Sequence, residues 1–132
     1  MKKLGLIFLF LTVAISSSYS QTEGNTMSKK QFLYLLRLEK TMLDPAAWTP
    51  EKNKILQNHF SYLQKLLADG KLILAGRTLV EDDKTFGIMI YEEENLEAAK
   101  SIAENDPAVK GKVMTVEVYP YSVALIREGK EK

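Results

Sequence analysis

Cysteine is absent from the 132 residues, histidine and tryptophan occur once each, and the formal net charge is only +1. Each scarcity removes a class of function. Without cysteine there is no disulfide framework, no thiol nucleophile and no lipid-carrying residue, so stability must come from packing. One histidine and scattered carboxylates do not make a ligand set, so no metal is expected. No glycine-rich loop stands ready to cradle phosphates, and no cofactor is expected. Basic and acidic residues balance, 18 against 17, with no basic stripe, so neither nucleic acid nor a polyanion is an expected partner. Long hydrophobic runs are missing too: Leu4 to Ile15, interrupted by Gly5 and Thr12, falls short of the roughly 20 residues a membrane-spanning helix needs.

That short run has another use. Lys2 and Lys3 precede it and the small residues Ser16 to Ser20 follow it, the order of a removable export signal, with Ser18 and Ser20 in the small positions of the cleavage site. Residues 1–20 are therefore expected to be a signal peptide, and the protein to be exported, periplasmic or secreted, with no stable membrane anchor after cleavage. Residues 21–30, polar and small, read as a disordered leader. Residues 31–122 are the expected single domain, and residues 123–132 a polar tail.

The domain reads as two similar halves. Gln31 to Glu39 is a nearly continuous apolar run that suits a strand central in its sheet. A loop, Met42 to Thr49, carries Asp44-Pro45 and Trp48. Thr49-Pro50-Glu51 then opens a helix, with a capping side chain, proline at the first position and an acid in the first turn, and Asp69-Gly70 ends it. Lys71 to Leu79 is a strand with Leu72, Leu74 and Gly76 on one face and Ile73, Ala75 and Arg77 on the other; Gly76 signals a bulge or a close approach. Glu81 to Lys84 forms a hairpin loop into a strand over Thr85 to Tyr91. Asn95 caps a second helix, which Asn105-Asp106-Pro107 stops. Lys112 to Tyr119 is the last strand, closed or bulged at Pro120. The order β-α-β-β-α-β with right-handed crossovers predicts a ferredoxin-like α+β domain, a four-stranded antiparallel sheet with both helices on one face. The bare apolar face predicts a homodimer packed sheet to sheet.

The single histidine is the residue out of place. Ile55, His59, Leu63 and Leu66 recur at helical spacing, which sets an imidazole in an apolar stripe. A buried polar ring needs a partner. Asp106 is the candidate, because a carboxylate at a helix C-terminus meets the negative end of the dipole at a cost of about 0.3–1 kcal/mol and so calls for compensation. A carboxylate on one ring nitrogen fixes the tautomer and leaves the other to exchange a proton with a substrate. The plainer alternatives are a satisfied boundary histidine and a turn-starting aspartate. Arg77 is a candidate fork for a substrate carboxylate, or else a surface strand arginine. Trp48 is either a lid over a pocket or a plug at the sheet edge. Tyr34, Tyr62, Tyr119 and Tyr121 read as core or interface aromatics.

His59 with Leu63, Leu66, Gly70, Leu72 and Ala75-Gly76, then Gly87, Leu96-Glu97-Ala98-Ala99, Asp106-Pro107, Val109, Gly111, Val118 and Pro120, resembles the YciI-like (YCII-related) family from about Phe32 to Pro120. The resemblance implies a dimeric α+β barrel with an active site at the positions matching His59 and Asp106, and proton-transfer or elimination chemistry on small, often cyclic or aromatic, molecules. The export signal, the leader and the Met42 to Thr49 loop depart from compact members.

Three functions compete. A cofactor-independent lyase or isomerase would use Asp106 to orient His59, His59 to move a proton, and Arg77 or a backbone amide near Gly76 to hold developing negative charge. A binding module would use the same pocket for a small ligand without chemistry. A dimeric accessory protein would use only its sheet face.

Overall fold

The computed structural model describes residues 29–127. The expected signal at residues 1–20, the leader up to residue 28 and the tail beyond residue 127 lie outside them.

Four strands and two long helices follow the expected order. Strand β1 (Lys30–Leu38) leads through two short 3-10 turns, Lys40–Leu43 and Pro45–Ala47, to helix α1 (Pro50–Ala68). The α1 start is built as its sequence demands: Thr49, in extended backbone, accepts the Lys52 N–H at 3.3 Å, and Pro50 occupies the first turn. Gly70, at φ 69°, takes the left-handed turn that releases the chain into β2 (Leu72–Arg77). A hairpin returns as β3 (Phe86–Glu93). Asn95 caps α2 (Leu96–Asn105) through the Ala98 N–H, and a single further turn, α3 (Pro107–Lys110), precedes β4 (Met114–Tyr121).

The sheet order is β2-β3-β1-β4, every pairing antiparallel, the ferredoxin-like α+β arrangement. Alternation along β1 sends Phe32, Tyr34 and Leu36 toward the helices, opposite Tyr91, Met89 and Gly87 of β3. Phe32, Tyr34, Leu36, Met89 and Tyr91 close over Leu63 and Leu66 of α1 and Ala99 and Ala103 of α2 to form the core. Fully burying a side chain of this size contributes about 1.5–3 kcal/mol. The small Ala99 and Ala103 let aromatic rings stand against α2 and reach its backbone: the Tyr91 hydroxyl donates to the Ala99 carbonyl at 2.8 Å.

Four local expectations are corrected. The irregularity in β2 falls between Leu72 and Leu74 and not at Gly76, where an added Cβ would meet nothing within 4 Å. The shift splits the expected Leu72-Leu74-Gly76 face: Leu72 turns into the core at 8% exposure and Leu74 to the opposite side at 42%. Pro120 neither closes nor bulges β4, which continues to Tyr121 with Pro120 opposite Phe32. The sheet tolerates it because β4 is an edge strand and a missing donor there can face outward. The boundaries of the other strands move by one or two residues, with β3 extending to Glu93 and β4 starting at Met114.

One tight contact sets how α1 meets the segment after α2. A Cβ on Gly111 would lie 2.7 Å from Ile55 Cδ1 and 3.0 Å from the Pro107 carbonyl, and Lys52 Nζ donates to the Gly111 carbonyl at 2.8 Å. Only glycine allows α1 to sit this close to the turn that carries Asp106.

Candidate active site

That close approach brings His59 and Asp106 together across 47 residues of chain. His59 Nδ1 lies 2.9 Å from Oδ1 and 2.8 Å from Oδ2 of Asp106. The carboxylate is fully buried and the His59 side chain is 12% exposed. A carboxylate only accepts, so Nδ1 carries the hydrogen, and Nε2 is the nitrogen left free to accept a proton.

Asp106 does not sit at a helix C-terminus uncompensated, as its place after α2 suggests. It is also the N-terminal cap of α3: its Oδ1 accepts the Ala108 N–H at 2.8 Å, and Pro107 fills the first helical position. Tyr34, from the middle of β1, donates its hydroxyl to Oδ2 at 2.9 Å. Three donors from three elements thus converge on one buried carboxylate, and among the described residues no buried side-chain nitrogen or oxygen is left unpaired. Burial above all, then the Asp106 charge and the hydrogen bond to it, push the Tyr34 phenol above its ordinary value. Burial and the charges of Asp106 and Glu93 raise Tyr62 as well. Both remain neutral phenols where their hydroxyls are needed as donors.

His59 forms part of the wall of a hollow of about 870 Å³. Asp106 stands behind it and does not line that space. Trp48, Gly76 and Arg77 do line it, so four of the five expected site residues share one cavity and the fifth supports the histidine from the rear. Arg77 reaches it because the β2 irregularity leaves Ala75 and Arg77 on the helix side, opposite Met89 and Gly87. The Trp48 indole is fixed, donating to the Met42 carbonyl at 3.0 Å, and serves as a wall. The remaining surface is largely apolar, with Leu36, Met42, Leu56, Leu63, Met89 and Met114 among the residues that line it. A smaller depression of about 400 Å³, at Asn95, Leu96, Glu97 and Lys100, carries no acid/base pair.

The sequence shows Tyr34 as a core aromatic, which it is, but not as a ligand of Asp106. The only signal was the period-two pattern Phe32-Tyr34-Leu36, which commits the hydroxyl to the interior and so to some partner. The methionines and Leu56 of the cavity wall carry no local mark separating them from core. Among the described residues no group of three histidine or carboxylate side chains is placed to hold a metal ion.

The class is therefore an antiparallel ferredoxin-like domain with an aspartate-backed histidine on the wall of an apolar hollow. A family model, the YCII-related domain, matches residues 23–122, and the chain belongs to that family. No curated protein matches it. Among solved structures it is similar to 5-chloro-2-hydroxyhydroquinone dehydrochlorinase from Burkholderia phenoliruptrix AC1100, in complex with 2,5-dihydroxybenzoquinone. That similarity has a TM-score of 0.54 and 24% identity, covering 70% of this chain and 93% of that one. At this identity the likeness establishes the shared fold.

Proposed function

We propose that the protein is an exported, cofactor-independent lyase or isomerase that uses His59 and Asp106 as a general acid/base pair on a small cyclic or aromatic molecule. The observation that carries this is the His59 Nδ1 contact to both carboxylate oxygens at the wall of a hollow large enough for such a ligand. His59 Nε2 takes a proton from the substrate. The electron pair left behind either expels a leaving group, completing an elimination, or is reprotonated elsewhere by the same imidazolium, completing an isomerisation. Arg77, or a backbone amide near Gly76, meets the negative charge that develops meanwhile. Asp106 stabilises the imidazolium and holds its orientation. The structural neighbour's name, a dehydrochlorinase of a chlorinated hydroxyhydroquinone, is consistent with an elimination of this kind.

The apolar walls favour one second reading, a module that holds a small ligand in the same hollow without chemistry. Turnover separates the two. The purified protein is assayed against lactones and chlorinated or hydroxylated cyclic compounds, beside His59→Gln. An acid/base role predicts a loss of about 10²- to 10⁴-fold in the variant. Equal turnover removes the enzyme and leaves the binder.

A homodimer through the open sheet face belongs to the same proposal. Leu33 and Leu35 of β1 and Ile88 and Ile90 of β3 share that face with the exposed Leu74. Light scattering that returns a monomer mass would remove this part alone.

A further inference from the structure

Tyr34 and Tyr91 form an internal control. Both stand on the helix side of the sheet, in adjacent strands, with ring centroids 6.2 Å apart at an interplanar angle of 65°. Both reach α2, one turn apart: Tyr91 donates to the Ala99 carbonyl at 2.8 Å, and Tyr34 lies 3.2 Å from the Ala103 carbonyl. Only Tyr34 also meets a carboxylate, at 2.9 Å. A hydroxyl has one proton, and of two acceptors the charged one binds it more strongly. The Ala103 carbonyl has a donor of its own in the Asp106 N–H at 3.2 Å, so it does not depend on the phenol.

We propose that Tyr34 is a positioning residue for His59 that acts through Asp106, its hydroxyl setting how strongly Oδ2 accepts from the imidazole; this rests on the His59–Asp106 pairing assigned above. Oδ2 receives both the Tyr34 hydroxyl and His59 Nδ1. Tyr34 and Asp106 are each fully buried, so no solvent replaces a donor that is removed, and two donors on one carboxylate oxygen draw on the same electron density, so each weakens the hold on the other. Burial keeps the phenol protonated beyond the range where tyrosine ordinarily ionises, so it is a donor at neutral pH.

The single histidine makes the test direct, because its Nδ1–H proton resonance is identified without assignment of any other ring. Nuclear magnetic resonance of the ¹⁵N-labelled protein reads that resonance in the wild type and three variants. Tyr34→Phe shifts it downfield, since the carboxylate concentrates on the imidazole. Tyr91→Phe, which loses an equally buried phenol, leaves it in place. Should Tyr34→Phe fail to fold, uniform 3-fluorotyrosine, a stronger donor that creates no cavity, shifts it upfield. Asp106→Asn separates the two levels of the argument. A resonance that responds to Asp106→Asn but is the same in Tyr34→Phe and Tyr91→Phe, or unmoved by fluorotyrosine, overturns the role of Tyr34 alone. One that ignores Asp106→Asn as well removes the dyad and this inference together.

Discussion

On the helix side of the sheet Phe32, Tyr34, Leu36, Met89 and Tyr91 are buried, and the polar atoms among them are tied to α2 or to Asp106. On the other side Leu33, Leu35 and Ile88 of the same strands are only partly covered, Ile90 alone among these alternate residues being buried, and the polar contacts are solvent-facing ones such as Tyr119 to Glu117. Both faces come from one alternating pattern, but they solve different problems. The covered side had to satisfy every polar group it enclosed, and doing so fixed the histidine in one orientation. The open side enclosed none.

The two faces should differ most at Asp106. Asp106→Ala strips the acceptor from His59, Tyr34 and the Ala108 N–H at once, and urea unfolding should show a loss of about 3–5 kcal/mol, the range for breaking a buried charged pair. The same change at Glu117 on the open face should stay within about 0.5 kcal/mol. A cost at Glu117 approaching that at Asp106 would mean the two faces are not distinguished as described.

The next largest contrast lies between neighbours on β1. Leu36→Ala, on the helix side, should cost about 2–5 kcal/mol at any protein concentration. Leu35→Ala should cost less, and its cost should grow with protein concentration if the open face joins two copies. A smaller contrast separates two glycines. Gly111→Ala forces a methyl onto Ile55 and should cost about 1–3 kcal/mol, whereas Gly76→Ala enters open space and should stay within about 0.5 kcal/mol.

A further effect appears only in alkaline solution. Burial raises the folded-state values of Tyr34 and Tyr91 above the ordinary value of 10.0. Their contribution to stability is therefore complete below that point. It falls as pH climbs beyond it, because the unfolded chain releases these protons first. Denaturation midpoints measured from neutral to alkaline pH should hold level and then decline, with the decline reduced in Tyr34→Phe and Tyr91→Phe.

Much of this was legible in the chain because each signal was local. Thr49-Pro50 and Asn95 announce their helices, and Gly70 announces an end, through backbone groups within a few residues. His59 and Asp106 were legible for a different reason: each was locally uncomfortable, a ring in an apolar stripe and an acid at a helix end, and two discomforts can relieve each other. What stayed hidden depended on pairing. The β2 irregularity at Leu72 to Leu74 exists only against β3, and Pro120 fits its strand only because β4 lies at the edge. Tyr34 was visible as a buried ring, but the destination of its hydroxyl is a property of the packed sheet and helix, as is the need for glycine at 111.

The one imidazole of this protein is held through Nδ1 by the carboxylate that joins α2 to α3. The ¹⁵N shifts of the neutral ring report which nitrogen carries the hydrogen. The structure predicts the Nδ1–H form, lost in Asp106→Asn; an Nε2–H ring that Asp106→Asn leaves unchanged would contradict it.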